Sequence, residues 1–373
     1  MAHVKTVFMV AGEASADLHA SQLLRELRQK DPTIRGFGVG GKRLSAEGFE
    51  AVVDASDLNV VGLSDWLGQA KTVVGSYRKV VSEIKRRSID VAVLLDLPDF
   101  NLGLVRHLKK KQIPVVYYIS PQIWAWRQYR IRTIRKHVDE MLVVFPFEEK
   151  FYRERGVSAR FVGHPLVQSV AVRPALRSVP EIRLGPRVAI LPGSRRSEIR
   201  FHGPLVAEVV RNMRRDFPAC EIRVPVAPTL QESELRASIG DGVTYDRRPA
   251  VETLHWADAA LVASGTATLE TALTETPFCL FYRMAPFSAF ALKFIVRYRN
   301  FLGMPNLLLG EEAIREFIQE GATPHALGDE LRRLLFDNAY RENGVSRLRR
   351  CRQLLSGDSV TETAAERVAA HLL

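Results

Sequence analysis

The chain is poor in cysteine. It has three in 373 residues, Cys220, Cys279 and Cys351, far apart and odd in number. With no CxxC pair there is neither a disulfide framework nor a zinc site, which suits a reducing compartment. The histidines are scattered without metal-ligand spacing, so no metal site is expected. No apolar run approaches the ~18 residues needed to span a bilayer. The first expected strand begins within a few residues of the start, leaving no room for a secretory leader, and a cytoplasmic protein is expected. No short repeat and no low-complexity stretch interrupts the chain. Acidic residues are also in deficit, 42 against 53 basic ones, a net charge of +11. That balance favours an acidic partner: nucleic acid, an anionic membrane surface or a phosphorylated substrate.

What is present is a repeated alternation. Short β-branched runs at Thr6–Val10, Arg35–Val39, Val91–Leu95, Val115–Ile119 and Met141–Phe145 are separated by longer helical patterns. Ala20, Leu23, Leu24 and Leu27 fit one amphipathic stripe, and Leu104, Val105 and Leu108 fit another that ends in Lys109–Lys111. The proline-rich stretch His164–Pro186 reads as a connection. The pattern then restarts at Arg187–Leu191, Glu221–Val226, Val243–Tyr245, Ala259–Ala263 and Phe278–Tyr282, with Val206, Val209, Val210 and Met213 on a helix between. Strand–helix alternation predicts parallel sheets covered on both faces. The expected architecture is α/β: two Rossmann-like domains in tandem, 1–168 and 169–350, with an inter-domain cleft. A helical tail is expected from about Glu311, its last part, 351–373, packing back on an N-terminal domain or exchanged with a partner subunit.

Ligands in such sheets bind beyond the carboxyl ends of the strands, so the loops there carry the chemistry. After Thr6–Val10 comes "AGEASADLHA", where Glu13, Asp17 and His19 are candidates. After Val91–Leu95 comes "DLPDFN": Asp99 is a candidate general base, and a helix cap is the competing reading. "PGSRRSEIR" follows Arg187–Leu191. Gly193 and Ser194 let backbone N–H groups approach an anion and Arg195 adds a bidentate contact, against the plainer reading of a charged surface loop. "SGTATLETALTETP" follows Ala259–Ala263. There Ser264, Gly265 and Thr266 open a helix whose N-terminus favours phosphate, and Glu270 is placed to accept from ribose hydroxyls. Two candidate anion loops at adjoining strand ends favour a nucleoside diphosphate. The lack of clustered aspartates points away from a metal-dependent mechanism, leaving Arg195, Arg283 and helix dipoles to neutralise a pyrophosphate.

Three further stretches concern the partner. "WAWRQYRIRTIRKH" interleaves Trp124, Trp126 and Tyr129 with arginines, a pattern that fits nucleic acid, an anionic head group or a solvated basic face. "PFSAFALKFIVRYRNF", residues 286–301, fits an interfacial helix or ordinary core. Residues 58–83 are similarly apolar beside Lys71, Arg78 and Lys79.

Taken together, "AGEASADLHA", "ISPQIWAWR", "FVGHPL", "LPGSRRSEI", "SGTATLETAL", "YRM" and "MPNLL" resemble the lipid-A-disaccharide synthase family, in its order, from about Ala11 to Leu308. The resemblance implies a GT-B fold and an inverting, metal-independent glycosyltransferase without a cofactor. It implies transfer from UDP-2,3-diacylglucosamine to 2,3-diacylglucosamine 1-phosphate, giving a β-1,6-linked disaccharide 1-phosphate and UDP. The setting it implies is lipopolysaccharide synthesis at the cytoplasmic face of a Gram-negative inner membrane, with peripheral contact to membrane lipids and a homodimer compatible. By the same resemblance Asp99 matches an aspartate important for activity, and Arg195 and Asn306 match a required arginine and asparagine. Glu270 matches the GT-B ribose glutamate. Glu13 and Ser15 fall in the loop lining the acceptor side, and Ser264, Gly265, Thr266 and Arg283 fall around the pyrophosphate. Ala16, where the family usually has glycine, and Met304, in place of leucine, are departures. The alternatives are another GT-B enzyme, such as a peptidoglycan glycosyltransferase or a UDP-sugar epimerase, and a nucleic-acid-binding protein.

Overall fold

The computed structural model describes residues 4–58, 66–125, 127–284, 301–357 and 362–372. The chain divides into two units, Met1–Pro165 with Gly357–Leu373, and Leu166–Ser356.

The first unit is built on seven parallel strands: β1 Thr6–Ala11, β2 Arg35–Gly40, β3 Glu50–Asp54, β4 Val91–Leu95, β5 Val115–Tyr118, β6 Glu140–Val143 and β7 Ala159–Phe161. Their order is β3-β2-β1-β4-β5-β6-β7. Helices α1 Ala14–Lys30, α2 Lys42–Ala46, α3 Trp66–Arg86, α4 Pro98–Lys110, α5 Ile131–His137 and α6 Pro146–Arg153 connect them. The central strands are continuous apolar runs because both faces are covered: Val7 to Ala11 and Val91 to Leu95 are fully buried. On α1, Ala16, Ala20, Leu24 and Leu27 are fully buried and Leu23 nearly so, the stripe its spacing predicts.

The second unit opens with α7 Leu166–Ser169 and α8 Val179–Leu184, both inside the stretch expected to be an irregular connection. Its six strands are β8 Arg187–Leu191, β9 Glu221–Pro225, β10 Thr244–Asp246, β11 Ala259–Ala263, β12 Phe278–Tyr282 and β13 Glu316–Ile318, all parallel. The sheet order is β10-β9-β8-β11-β12-β13. Its other helices are α9 Arg196–Asp216, α10 Glu232–Ile239, α11 Ala250–Trp256, α12 Thr266–Leu273, α13 Met304–Leu309, α14 Pro324–Phe336 and α15 Asn338–Ser356. β13 corrects the expectation of an unbroken helical tail from Glu311, because Phe317 pairs with Phe281 and closes the edge of the sheet. The last helix, α16 Ala364–Ala370, returns to the first unit. There Arg367 and His371 reach buried Glu140 on β6 at 3.0 Å each.

Candidate active site

In both sheets the chain starts near the middle and winds to one side, then restarts on the other. That reversal leaves a crevice beyond the carboxyl ends of the two strands flanking it. In the first unit those strands are β1 and β4, in register up to Ala11 beside Leu95. The next residues are therefore the Glu13 loop and Asp96. The loops touch closely, since a Cβ on Gly12 would lie 1.9 Å from Leu97 Cδ1 and force that side chain to move.

Asp96 and Leu97 both adopt left-handed backbone, with φ of 49° and 37°, a costly conformation for non-glycine residues that persists only when its surroundings enforce it. Here they do. The Asp96 carbonyl accepts from the Tyr117 hydroxyl at 2.7 Å and from Asn101 Nδ2, which also reaches the Leu95 carbonyl at 3.0 Å. The Asp96 carboxylate accepts no hydrogen bond from the described residues, and burial, seconded by the negative charge of Glu13, raises its pKa to about 6. Asp99 is placed differently. It lies in the first turn of α4, its side chain is 78% exposed, and Arg127 and Arg130 both pair with it.

Glu13 and Ser15 lie exposed at the start of α1. Asp17 faces inward and accepts from the backbone N–H groups of Gly41, Arg43 and Leu44, so it caps α2 rather than facing a ligand. His19 is buried as well, and burial lowers its pKa. Ala16 is fully buried, so its extra methyl meets the core. Trp124 is also buried and donates to Glu148 at 2.9 Å, which removes it from the exposed stacking surface considered above. Burial raises the Glu148 carboxyl to about 7, while Ser120 and Trp124 hydrogen-bond to it. Trp126, residues 285–300 and the stretch 59–65 lie outside the described residues.

In the second unit the flanking strands are β8 and β11, with Leu191 beside Val262. The two candidate anion loops here differ. In the loop after β8, Glu198 Oε2 already accepts from Ser194 N at 2.9 Å and Arg195 N at 3.2 Å. A Cβ on Gly193 would sit 2.4 Å from that oxygen. The backbone cradle is thus filled by the chain's own carboxylate, and Arg195 offers only its side chain, 77% exposed.

The loop after β11 is open. Gly265 has φ 148° and a Cβ there would meet no described residue within 4 Å. No side chain of the described residues caps α12, whose first N–H groups therefore retain their anion-binding capacity. Ser264 is half-buried, Gly265 and Thr266 are exposed, and Glu270 one turn on is half-buried with a pKa raised by burial.

Arg283 follows β12, the next strand in the sheet. Fully buried His202 of α9 joins these loops: its Nδ1 is 2.6 Å from the Pro192 carbonyl, and its Nε2 accepts from Arg283 N at 3.1 Å. Asn306 is fully buried. Its amide donates to the Ile314 carbonyl and Glu316 and accepts from Ala313 N and Ile314 N. As placed, it gives no atom to a ligand and instead shapes the segment between α13 and β13.

Residue-type reasoning thus passed over three groups. Asp96 was visible only as the first residue of "DLPDFN", and its burial is a tertiary effect. Glu198 was legible, standing three residues after the helix-capping position Arg195, the spacing of a capping box. His202 carries no local signal.

A family model described as Lipid-A-disaccharide synthetase matches residues 7–370. The lipid-A-disaccharide synthase of Koribacter versatilis (strain Ellin345) is 39% identical over 381 residues, covering 98% of this chain and 97% of its own. Among solved structures, the glycotransferase of kitacinnamycin aligns with a TM-score of 0.64 at 14% identity, over 100% of both chains. The UDP-GlcNAc 2-epimerase from Neisseria meningitidis bound to UDP-GlcNAc gives 0.61 at 11%, over 98% of each. At such identities those two likenesses show the fold alone, the paired Rossmann-like sheets of the GT-B class.

Proposed function

The chain belongs to the lipid-A-disaccharide synthase family and is a glycosyltransferase of lipid A synthesis, and on that premise we propose that its two switch points are the two substrate half-sites. The second unit takes the donor, UDP-2,3-diacylglucosamine. Its pyrophosphate lies at the open N-terminus of α12, on Ser264, Gly265 and Thr266, with Arg195 and Arg283 supplying positive side chains and Glu270 receiving the ribose. The first unit takes the acceptor, 2,3-diacylglucosamine 1-phosphate, beside Glu13 and Ser15.

The observation that carries the reading is the unpartnered, half-buried carboxylate of Asp96, pinned at the switch point with a pKa near 6. Such a group is ionised at neutral pH and still basic enough to take a proton. Asp96 removes the proton from the acceptor 6-hydroxyl as that oxygen bonds to the donor anomeric carbon. The bond from that carbon to the β-phosphate oxygen breaks on the opposite face, and UDP leaves with the electron pair. Inversion follows from that in-line course, and attack of the 6-hydroxyl on an α-linked UDP-sugar gives the β-1,6 linkage. Charge neutralisation at the leaving pyrophosphate supplies the electrostatic part of the acceleration. Asp99, expected as the base, is assigned instead to holding Arg127 and Arg130. Asn306 is assigned to positioning.

Diacylated substrates place the reaction at a membrane surface, the cytoplasmic face of the inner membrane, with peripheral contact. Among the described residues no helix is long and apolar enough to cross a membrane. The test is incubation with both lipid substrates in mixed micelles and identification of products by mass spectrometry. UDP and the disaccharide 1-phosphate are expected in equal amounts. An isomerised UDP-sugar formed without acceptor would replace this reading with the epimerase alternative.

A further inference from the structure

Two basic runs far apart in the sequence meet in the first unit. The last turns of α4 bring Arg106, Lys109 and Lys110, and α5 brings Arg132, Lys136 and His137, to one concavity of about 680 Å³. Lys109 is paired with Asp139 at 2.8 Å. Arg106, Lys110, Arg132 and Lys136 are exposed, and none forms an ion pair with a described residue. Among the described residues no acidic side chain lines the groove.

Helix electrostatics do not account for this arrangement. Cations in a final turn complement the helix dipole, which covers Lys110 and Lys136. Arg132, however, lies in the first turn of α5, the positive end, where the dipole disfavours it. Arg106 with Lys110 and Arg132 with Lys136 are like-charge pairs four residues apart, a spacing that weakens each helix. A groove that concentrates unpaired positive charge against both local rules is stabilised when an anion enters it. Its volume and its long, exposed side chains suit several phosphate groups rather than one buried ion.

The groove is also distinct from the reaction centre. Asp96 precedes α4 and Lys110 ends it, twelve residues beyond Pro98 and about 18 Å along the helix axis. Arg106 and Thr133 connect it to a neighbouring concavity of about 430 Å³ that reaches Asp99.

We propose that the α4–α5 groove binds the phosphate head groups of anionic phospholipids and seats the first unit on a negatively charged bilayer. This rests on the lipid-substrate reading above. Each basic residue at an anionic surface contributes roughly fivefold in partitioning, so removing three costs on the order of a hundredfold.

The test is co-sedimentation of the full chain with phosphatidylcholine vesicles with and without one-quarter phosphatidylglycerol. The wild type, the triple variant Lys110→Gln, Arg132→Gln, Lys136→Gln, and the charge-keeping variant Lys110→Arg, Lys136→Arg are compared, with melting temperature as the folding control. Wild type is expected to bind only the anionic vesicles and to be released by salt. The triple variant loses about a hundredfold, and the charge-keeping variant keeps its binding. Turnover of detergent-dispersed lipid substrates by the triple variant stays at the wild-type rate. A folded triple variant that sediments like wild type would overturn the proposal. So would wild-type binding indifferent to vesicle charge, or tight salt-dependent binding of an RNA oligonucleotide with none to vesicles. If no preparation turns over substrate, the functional reading fails, whereas loss of the vesicle response alone condemns only the groove.

Discussion

Replacing Asp96 by asparagine separates catalysis from stability. The carboxyl is raised from an ordinary 3.8 to about 6, first by burial and then by Glu13. The unfolded chain therefore releases this proton near pH 4 and the folded chain near pH 6. This group's contribution is most favourable below pH 4 and is lost as pH rises through 6. At about 1.4 kcal/mol per pH unit, keeping it ionised at pH 7 costs the fold about 3 kcal/mol. Asp96→Asn removes that cost without changing shape. It is expected to raise stability by up to about 3 kcal/mol at pH 7, measured by urea unfolding, while turnover falls by about 10² to 10⁴, the range for a lost general base. In the wild type, kcat/KM should fall about tenfold per pH unit below 6, and Glu13→Gln should move that limb to lower pH. The parallel variant Asp99→Asn should bind both lipids and lose less activity than Asp96→Asn. An Asp96→Asn enzyme with near-normal turnover, or one that is inactive and less stable than wild type, would refute the reasoning.

Other outcomes follow from the same geometry. Gly265→Ala places a side chain at φ 148°, costing about 1–3 kcal/mol of stability. Calorimetry should find UDP binding weakened by more than tenfold, against no change if the α12 N-terminus is not the phosphate site. His202→Leu leaves the Pro192 carbonyl and Arg283 N–H unpaired at about 1–3 kcal/mol each, and steady-state kinetics should show the KM for the UDP-sugar rising more than that for the acceptor. At Glu140, burial pushes the pKa up, but hydrogen bonds from His371 and Arg367 hold it below its usual 4.5. The contribution is therefore present above pH 4.5 and lost as pH falls further. Glu140→Ala takes away the carboxylate shared by Arg367 and His371, leaving Arg367 only Glu362 at 3.2 Å, and should cost about 1–3 kcal/mol, read by thermal unfolding at pH 7.

The sequence carried the parts of the fold that burial dictates. β1, β4, β8, β11 and β12 are apolar on both faces, so "VFMVA", "VAVLL" and "AALVA" identify themselves. β7 and β13 escaped because "ARF" and "EFI" are only three residues long, and β3 because "EAVVD" is largely exposed and ends in charge; only their neighbours make them strands. At the candidate site the loops were legible from glycine, serine and strand ends, while the state of each loop was not. Spacing alone treats "PGSR" and "SGTA" alike, yet Glu198 fills the first and no described residue fills the second. It also favours Asp99, nearest the helix start, over Asp96, whose character comes from Tyr117, Asn101 and Glu13 converging on one turn. The basic runs were visible separately. That Lys110 and Lys136 share a groove is a consequence of α4 packing on α5.

The assignment of donor and acceptor to different units is tested most directly by hydrogen exchange of the whole chain with and without saturating UDP. The account predicts slowed exchange in peptides covering Ser264–Glu270, with those covering Gly12–Asp17 and Asp96–Asn101 unchanged. Protection confined to Gly12–Asp17, with Ser264–Glu270 unaffected, would contradict it.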